Sequence, residues 1–356
     1  MSASEEIMKT VDQKTIGFGI VGTGAIAGFH ARAIAAVPGA VFRAACSRTP
    51  EGAARFCAEH GGDPAGNLDD LLSRADIDAV CITVPSGTHG EVALRALECG
   101  KHVLCAKPLE ISTARLDRMI AAAADADRIL AGVFQSRLGE DAQRLKSFVD
   151  DGRFGRLASC SAYVKWWRDP AYYSESSWKG TRAQDGGGAL MNQAIHAVDL
   201  LQWLVGMPVR VSARIATRLH PIEVEDTAVA WLEFANGALG VIEAATSCNP
   251  GADMRIEIAG EKGTAILENG RLRCHGISDT HPQPSSVHSR NAGTGASDPK
   301  AIGIAGHCAL IEDLVRAIRG GEQPSISATE ARRAVQLIEA LYESHDTARV
   351  VKLHGR

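Results

Sequence analysis

From residue 15 to residue 136, short apolar runs alternate with helix-period segments, and this alternation restricts that part of the chain to an α/β architecture. TIGFGIVG (15–22), AVFRAACSR (40–48), AVCITVP (79–85), KHVLCAKP (101–108) and RILAGVFQS (128–136) read as strands. AGFHARAIAAV, PEGAARFCAEHG, LDDLLSRAD, HGEVALRALECG and ISTARLDRMIAAAADAD between them read as helices, the last capped by Ser112 or Thr113. Strands separated by helices of this length form a parallel sheet with helices on both faces. Residues 1–14 are polar, read as a disordered lead, and are followed by a doubly wound parallel-sheet domain over 15–136.

Beyond residue 136 the pattern changes. After a helix at DAQRLKSFVDDG come two-residue alternations such as RLASCSAYVKWW and VRVSARIATR. Asn-Gly pairs in FANGALG and LENGRLR sit between alternating runs and predict hairpins. Residues 137–356 therefore read as a second domain, α/β, with a large, mainly antiparallel open sheet. A helix is expected over 190–205, a long loop over 276–300, and two closing helices. The net charge of −4 excludes a polyanion-binding surface, so no nucleic-acid partner is expected. No apolar run is long enough to cross a bilayer. The nine cysteines are scattered without a C-x-x-C pair, which fits reduced thiols in a cytoplasmic protein and gives no zinc site.

The first strand–helix turn carries G-x-G-x-x-A at Gly22, Gly24 and Ala27, in GTGAIA. Glycines here permit a tight turn and close approach of a pyrophosphate, while the helix N-terminus favours its charge. Gly22, Gly24, Ala25 and Ile26 are thus candidate NAD(P) contacts. At the end of the second strand, where an acidic residue would bind the ribose of NAD, stand Ser47 and Arg48. A hydroxyl and a guanidinium suit the 2′-phosphate of NADP, and a solvated Arg48 would leave either cofactor usable. Ligands in such sheets bind beyond the carboxyl ends of the strands, which brings Pro85, His89, Ala106 and Lys107 toward the nicotinamide. The proline after Lys107 biases it to an extended backbone.

In DGGGALMNQAIHAVDLLQWLVG, a helix over 190–205 would put Asn192, His196 and Asp199 on one face. The alternative is a core histidine satisfied by Asp199. The stretch 163–188 concentrates Trp166, Trp167, Tyr172, Tyr173 and Trp178 among Lys165, Arg168, Lys179 and Arg182. Aromatic faces pack on sugars and cations pair with anions, so Lys165, Tyr172 and Trp178, with Asn192 and His196, are candidate substrate contacts; packing at a sheet edge or subunit contact is the alternative. His220, Glu223 and Asp226 read as a loop and strand start, and no metal is expected.

GTGAIA, TVPSGTH, GKHVLCAKP, GGGALMNQAIHAVDLL and the closing EDLVRAIRGGEQPSISATEARRAVQLIEALYES, in this order, resemble the Gfo/Idh/MocA family of NAD(P)-dependent oxidoreductases. The resemblance implies hydride transfer at a hydroxyl-bearing carbon of a sugar, cyclitol or related compound. It also implies a dinucleotide-binding Rossmann domain over 15–136 and a substrate-binding and oligomerisation domain over 137–356, with a homodimer or homotetramer built on the open sheet. Lys107 matches the lysine that bonds the reacting oxygen, and His196 the histidine that carries the proton. The pattern is broken at Ala106, where the family has glutamate, and at Asn192, where many members have aspartate. Asn192 can orient a hydroxyl but cannot act as a base. A catalytically lapsed NAD(P)-binding regulator and an oxidoreductase of a non-sugar ring are the other readings.

Overall fold

The complete burial of strand β1 (Ile16–Val21) explains its place in the middle of a sheet covered on both faces. The computed structural model describes residues 14–277 and 303–353. In the first half β1 is followed by α1 (Ala25–Ala36), β2 (Ala40–Cys46), α2 (Pro50–His60), β3 (Asp63–Pro64), α3 (Leu68–Leu72), β4 (Ala79–Ile82), α4 (His89–Glu98), β5 (His102–Cys105), α5 (Thr113–Asp125) and β6 (Leu130–Gly132). The six strands are parallel in the order β3-β2-β1-β4-β5-β6. The order reverses between β1 and β4, and the crevice above that point is where such sheets take their ligands. The N-terminus of α5 departs from expectation. Ser112 is the N-cap residue but makes no side-chain cap, because Glu339 from the C-terminal helix accepts from Thr113 N (3.1 Å) and Oγ1 (2.5 Å) instead.

The second half runs through α6 (Glu140–Asp150), β7 (Leu157–Lys165), α7 (Pro170–Ser174), α8 (Arg182–Asp185), a π-helical turn at Ala189–Ala194, and α9 (Ile195–Val205). There follow β8 (Pro208–Ala216), β9 (Thr227–Phe234), β10 (Leu239–Ala245), β11 (Arg255–Gly260), β12 (Gly263–Glu268), β13 (Arg271–His275), α10 (Ala305–Gly320), α11 (Ala328–Thr347) and β14 (Val351–Lys352). The eight strands are ordered β13-β12-β11-β7-β10-β9-β8-β14, with β7–β10 the one parallel pair. Both expected hairpins form, and at the second Asn269 and Gly270 have positive φ (49° and 73°). Residues 1–13 of the expected lead and 278–300 of the expected loop lie outside the described residues.

Alternation along the strands divides the second sheet into two faces. Cys160, Ala162 and Val164 of β7 are buried toward α9. Val229, Trp231 and Leu239 are exposed on the opposite face, at 50%, 40% and 59%. Helix α10 does not stay with the second sheet. It packs on α1, with His307 stacked 5.4 Å from Phe29, and α11 bridges α5 to α9. The carbonyl of Ile326 accepts from Gly132 N (3.0 Å), so the C-terminal segment closes the edge of β6. Among the described residues no helix is long and apolar enough to cross a membrane.

Candidate active site

Gly22 ends β1 at φ +93°, and a Cβ there would lie 2.9 Å from the Thr83 carbonyl. Gly24 is the N-cap of α1, and a Cβ added to it would meet nothing within 4 Å. No side chain caps α1, and Ala25 and Ile26 are exposed, so its first N–H groups face open space at the sheet's switch point. This geometry fits a dinucleotide pyrophosphate. Ser47 accepts from Thr23 Oγ1 (2.9 Å), and Arg48 is exposed at the end of β2, next to the glycine turn. Pro85 opens a 3-10 turn, Ser86–Thr88, after β4.

His89 braces the loop that carries Lys107. It is buried, with Nδ1 2.7 Å from the Pro108 carbonyl and Nε2 2.9 Å from that of Val84. The ring therefore ties the loop after β5 to the end of β4, and burial lowers its pKa. Glu110 holds the same loop from below, fully buried, accepting from Gly90 N (3.0 Å) and Ile111 N (2.7 Å). Between these two anchors Ala106 donates its N–H to Ile82 O (3.0 Å), and Lys107 turns toward the second domain.

The Lys107 ammonium donates to the Asn192 carbonyl and lies 3.4 Å from Asn192 Oδ1. The Asn192 amide donates to the Asp185 carboxylate, and its Oδ1 accepts from Gln193 Nε2 (2.8 Å). Gln193 also donates to the Tyr172 hydroxyl (3.0 Å) and accepts from Arg168 (2.7 and 3.2 Å). Lys179 Nζ stands 3.6 Å from the centre of the Tyr172 ring. The turn that delivers Asn192 requires small residues. Gly186 has φ +76°, and a Cβ on Gly188 would fall 1.8 Å from the Glu225 carbonyl oxygen. Buried Glu225 accepts from Gly188 N (3.0 Å), Leu190 N (2.8 Å) and the Tyr342 hydroxyl (3.0 Å), which fixes the turn.

Charge is tuned within this group. Burial lowers the Lys107 pKa to about 8, opposed by Asp185 and reinforced by Arg168. Burial raises the Asp185 pKa to about 6, against the hydrogen bonds from Gly180 N (2.8 Å) and Asn192 and the charges of Lys107 and Lys179. His196 is held neutral, its pKa lowered to about 3 by burial first, then by Lys107 and His307.

Three expectations fail on position. Asp199 is not a partner of His196. Both residues lie in regular α9, and Asp199 is taken up by a fork with Arg137, Oδ1 to Nη2 at 2.6 Å and Oδ2 to Nε at 2.7 Å. His196 instead stands edge-on to Phe134, and its buried Nδ1 has no hydrogen-bond partner among the described residues. Lys165 projects from the open face of the sheet and pairs with Glu243 (2.9 Å), away from the Lys107 group. Trp178 is half-buried before α8, where its carbonyl accepts from Thr181 Oγ1 (2.7 Å), a bond within its own turn and outside the Lys107 network. Tyr172 does join it. Arg168, one of the cations in 163–188, joins it as well, while Asp185 and Gln193 join it unannounced, and the one sequence signal for Asp185 is its place directly before Gly186–Gly188. Asp226, read with His220 as a loop, accepts from the N–H groups of Arg218, Leu219 and His220, as a turn residue does.

Residues 16–134 match the oxidoreductase family with an NAD-binding Rossmann fold, and residues 142–266 match the GFO/IDH/MocA C-terminal domain. The chain is 28% identical to a myo-inositol 2-dehydrogenase of Thermotoga maritima, over 94% of this chain and 98% of that one. It is 26% identical to a levoglucosan dehydrogenase of Pseudarthrobacter phenanthrenivorans, over 93% and 96% of the two chains. Among solved structures, the WlbA dehydrogenase of Bordetella pertussis in complex with NADH and UDP-GlcNAcA superposes with a TM-score of 0.86 at 32% identity, covering 97% of this chain and 99% of the other.

Proposed function

The chain belongs to the Gfo/Idh/MocA family of oxidoreductases with an NAD-binding Rossmann domain, and on that premise we propose that it is a dehydrogenase or reductase of a secondary alcohol or ketone on a sugar or cyclitol derivative. The observation that carries this reading is the partly buried Lys107 ammonium after β5, oriented by Asn192 and electrostatically coupled to a neutral His196. When bound, the dinucleotide supplies a hydride acceptor or donor in the crevice over Gly22 and Gly24. Lys107 donates a hydrogen bond to the reacting oxygen and stabilises the negative charge that grows there as the C–H bond breaks. Neutral His196 accepts the hydroxyl proton during oxidation and returns it during reduction. Asn192 holds Lys107 in place and cannot itself take a proton. Tyr172 offers a ring face to the sugar.

Lys107, Arg168 and Lys179 outnumber Asp185 around this pocket, which favours a substrate with an anionic group, such as a uronate or a nucleotide-linked sugar. The Bordetella relative, bound to UDP-GlcNAcA, is consistent with that class. Ser47 and Arg48 favour NADP over NAD. The exposed Val229, Trp231 and Leu239 support a homodimer or homotetramer joined through the open sheet, and the buried thiols Cys46, Cys81, Cys105 and Cys160 suit a cytoplasmic location.

Absorbance at 340 nm across a panel of neutral sugars, cyclitols, uronates and nucleotide-linked sugars tests the reading. Turnover on an acidic member, faster than on its neutral counterpart, is the expected result. Tight NAD(P)H binding without turnover on any member would replace the enzyme with a cofactor-binding regulator. Arg48→Ala is expected to weaken NADPH binding about tenfold, or ~1.4 kcal/mol, while NADH affinity stays within about twofold. Equal losses for both cofactors would remove the NADP preference.

A further inference from the structure

We propose that Asp185 is a positioning residue of the active site, supplying through Asn192 the carboxylate charge that keeps Lys107 protonated and aimed at the reacting oxygen. The inference rests on the proposed role of Lys107 and extends it to a residue seven positions before Asn192. Neither Ala106 nor Asn192 carries an acid, and they flank the lysine from the strand side and the helix side. Asp185 is 1% exposed, and its two oxygens are committed in different directions. Oδ2 accepts from Gly180 N, which fixes the carboxylate at the end of α8, while Oδ1 accepts from the Asn192 amide. That bond directs the opposite end of the same amide, Oδ1, toward the Lys107 ammonium. An amide between an acid and an ammonium transmits orientation without passing a proton. Gln193 closes the arrangement by donating to the same Oδ1, so Asn192 cannot flip without setting its NH2 against two donors.

The charged and titratable neighbours set the sign. Lys107 feels Arg168 and Asp185, and it acts in turn on His89 and His196. Asp185 faces Lys107 and Lys179, and it raises the pKa values of Tyr172, Tyr173 and Tyr342. It is the anion that supports the Lys107 charge against burial and Arg168. Removing it lowers the Lys107 pKa below its present value of about 8, so the ammonium is lost at lower pH.

The test reads Lys107 directly, without substrate or turnover. Competitive acetic anhydride labelling of the purified chain across pH, with the Lys107 peptide quantified by mass spectrometry, gives its pKa in wild type, in Asp185→Asn and in the exchanged pair Asp185→Asn with Asn192→Asp. The exchange moves the carboxylate next to Lys107 and leaves an amide behind it. A fall of about one pH unit in Asp185→Asn, reversed in the exchanged pair, is expected. The alkaline limb of kcat/KM should move by the same amount and return with the exchange. A Lys107 pKa in Asp185→Asn within about 0.3 of wild type, roughly the reading error, overturns the proposal. If Asp185→Asn fails to fold, the exchanged pair decides. A wild-type Lys107 pKa in it supports the charge, and failure to fold or a lowered pKa shows that Asp185 only anchors Gly180. Loss of the function reading is separate, because it requires a Lys107 variant that retains turnover and leaves the labelling result untouched.

Discussion

Lys107→Met is expected to lower kcat by about 10³-fold while the dissociation constant for NAD(P)H changes less than about threefold. The magnitude follows from what the ammonium faces. It is partly buried and donates to Asn192, and burial already lowers its pKa, so its hydrogen bond to an oxygen gaining negative charge is worth more than in water. Methionine matches the length of the stem and leaves the anchors of the loop in place. His89 still joins Pro108 to Val84, and Glu110 still accepts from Gly90 and Ile111. The pyrophosphate position, at Gly22, Gly24 and the start of α1, is on a different strand end and should not respond. Cofactor affinity by fluorescence titration and turnover on the best substrate of the panel give the two numbers. A variant keeping a tenth of wild-type kcat would remove Lys107 from the chemistry, and one that lost cofactor binding equally would make it a cofactor anchor.

Much of the frame is written locally, and this is why the sequence discloses it. The parallel sheet follows from β-branched and apolar runs spaced by helices, each decided within about ten residues. Asn269–Gly270 fixes its own hairpin by backbone preference alone. Gly22 and Gly24 are legible because the chemistry they serve is a property of a single turn. The active-site polar network is not local. Asp185 meets Lys107 through Asn192, three elements apart, and no periodicity marks that meeting. The cap of α5 is equally non-local, since Glu339 comes from the far end of the chain. Spacing arguments also assume a regular helix, and the π-helical turn at Ala189–Ala194 breaks that assumption before Asn192 is reached. Lys165 misleads for a simpler reason. A two-residue period assigns it to one face of β7, but the sequence does not say which face the helices cover. Ala106 reads from sequence as a missing carboxylate, and nothing in the sequence indicates that the Asp185 carboxylate lies behind Asn192, on the side away from Lys107.

The Arg137–Asp199 fork leads to the largest stability effect. Arg137 is 2% exposed and Asp199 1%, and their two hydrogen bonds, 2.6 and 2.7 Å, tie the turn after β6 to the middle of α9. Glu330 of α11 adds a contact at 3.3 Å, so one guanidinium joins three segments that meet where the two sheets adjoin. Asp199→Ala would leave that guanidinium buried beside the more distant Glu330 alone, and the desolvation already incurred would lose most of its compensation. Destabilisation by about 3–5 kcal/mol is expected, read as a lower urea midpoint. The double variant Arg137→Met with Asp199→Leu removes both charges and fills a similar volume, and it should recover most of that loss. The comparison separates two accounts of the pair. If the double variant is as unstable as the single one, the fork contributes net attraction beyond the cost of burying it. If it recovers, the pair mainly specifies how α9 docks, and His196, one turn earlier on α9, is the residue whose position depends on it. Turnover of the stable double variant then reports that dependence: a lowered kcat with unchanged unfolding midpoint would show that the fork aims the proton carrier, and an unchanged kcat would show that α9 is aimed by its apolar packing alone.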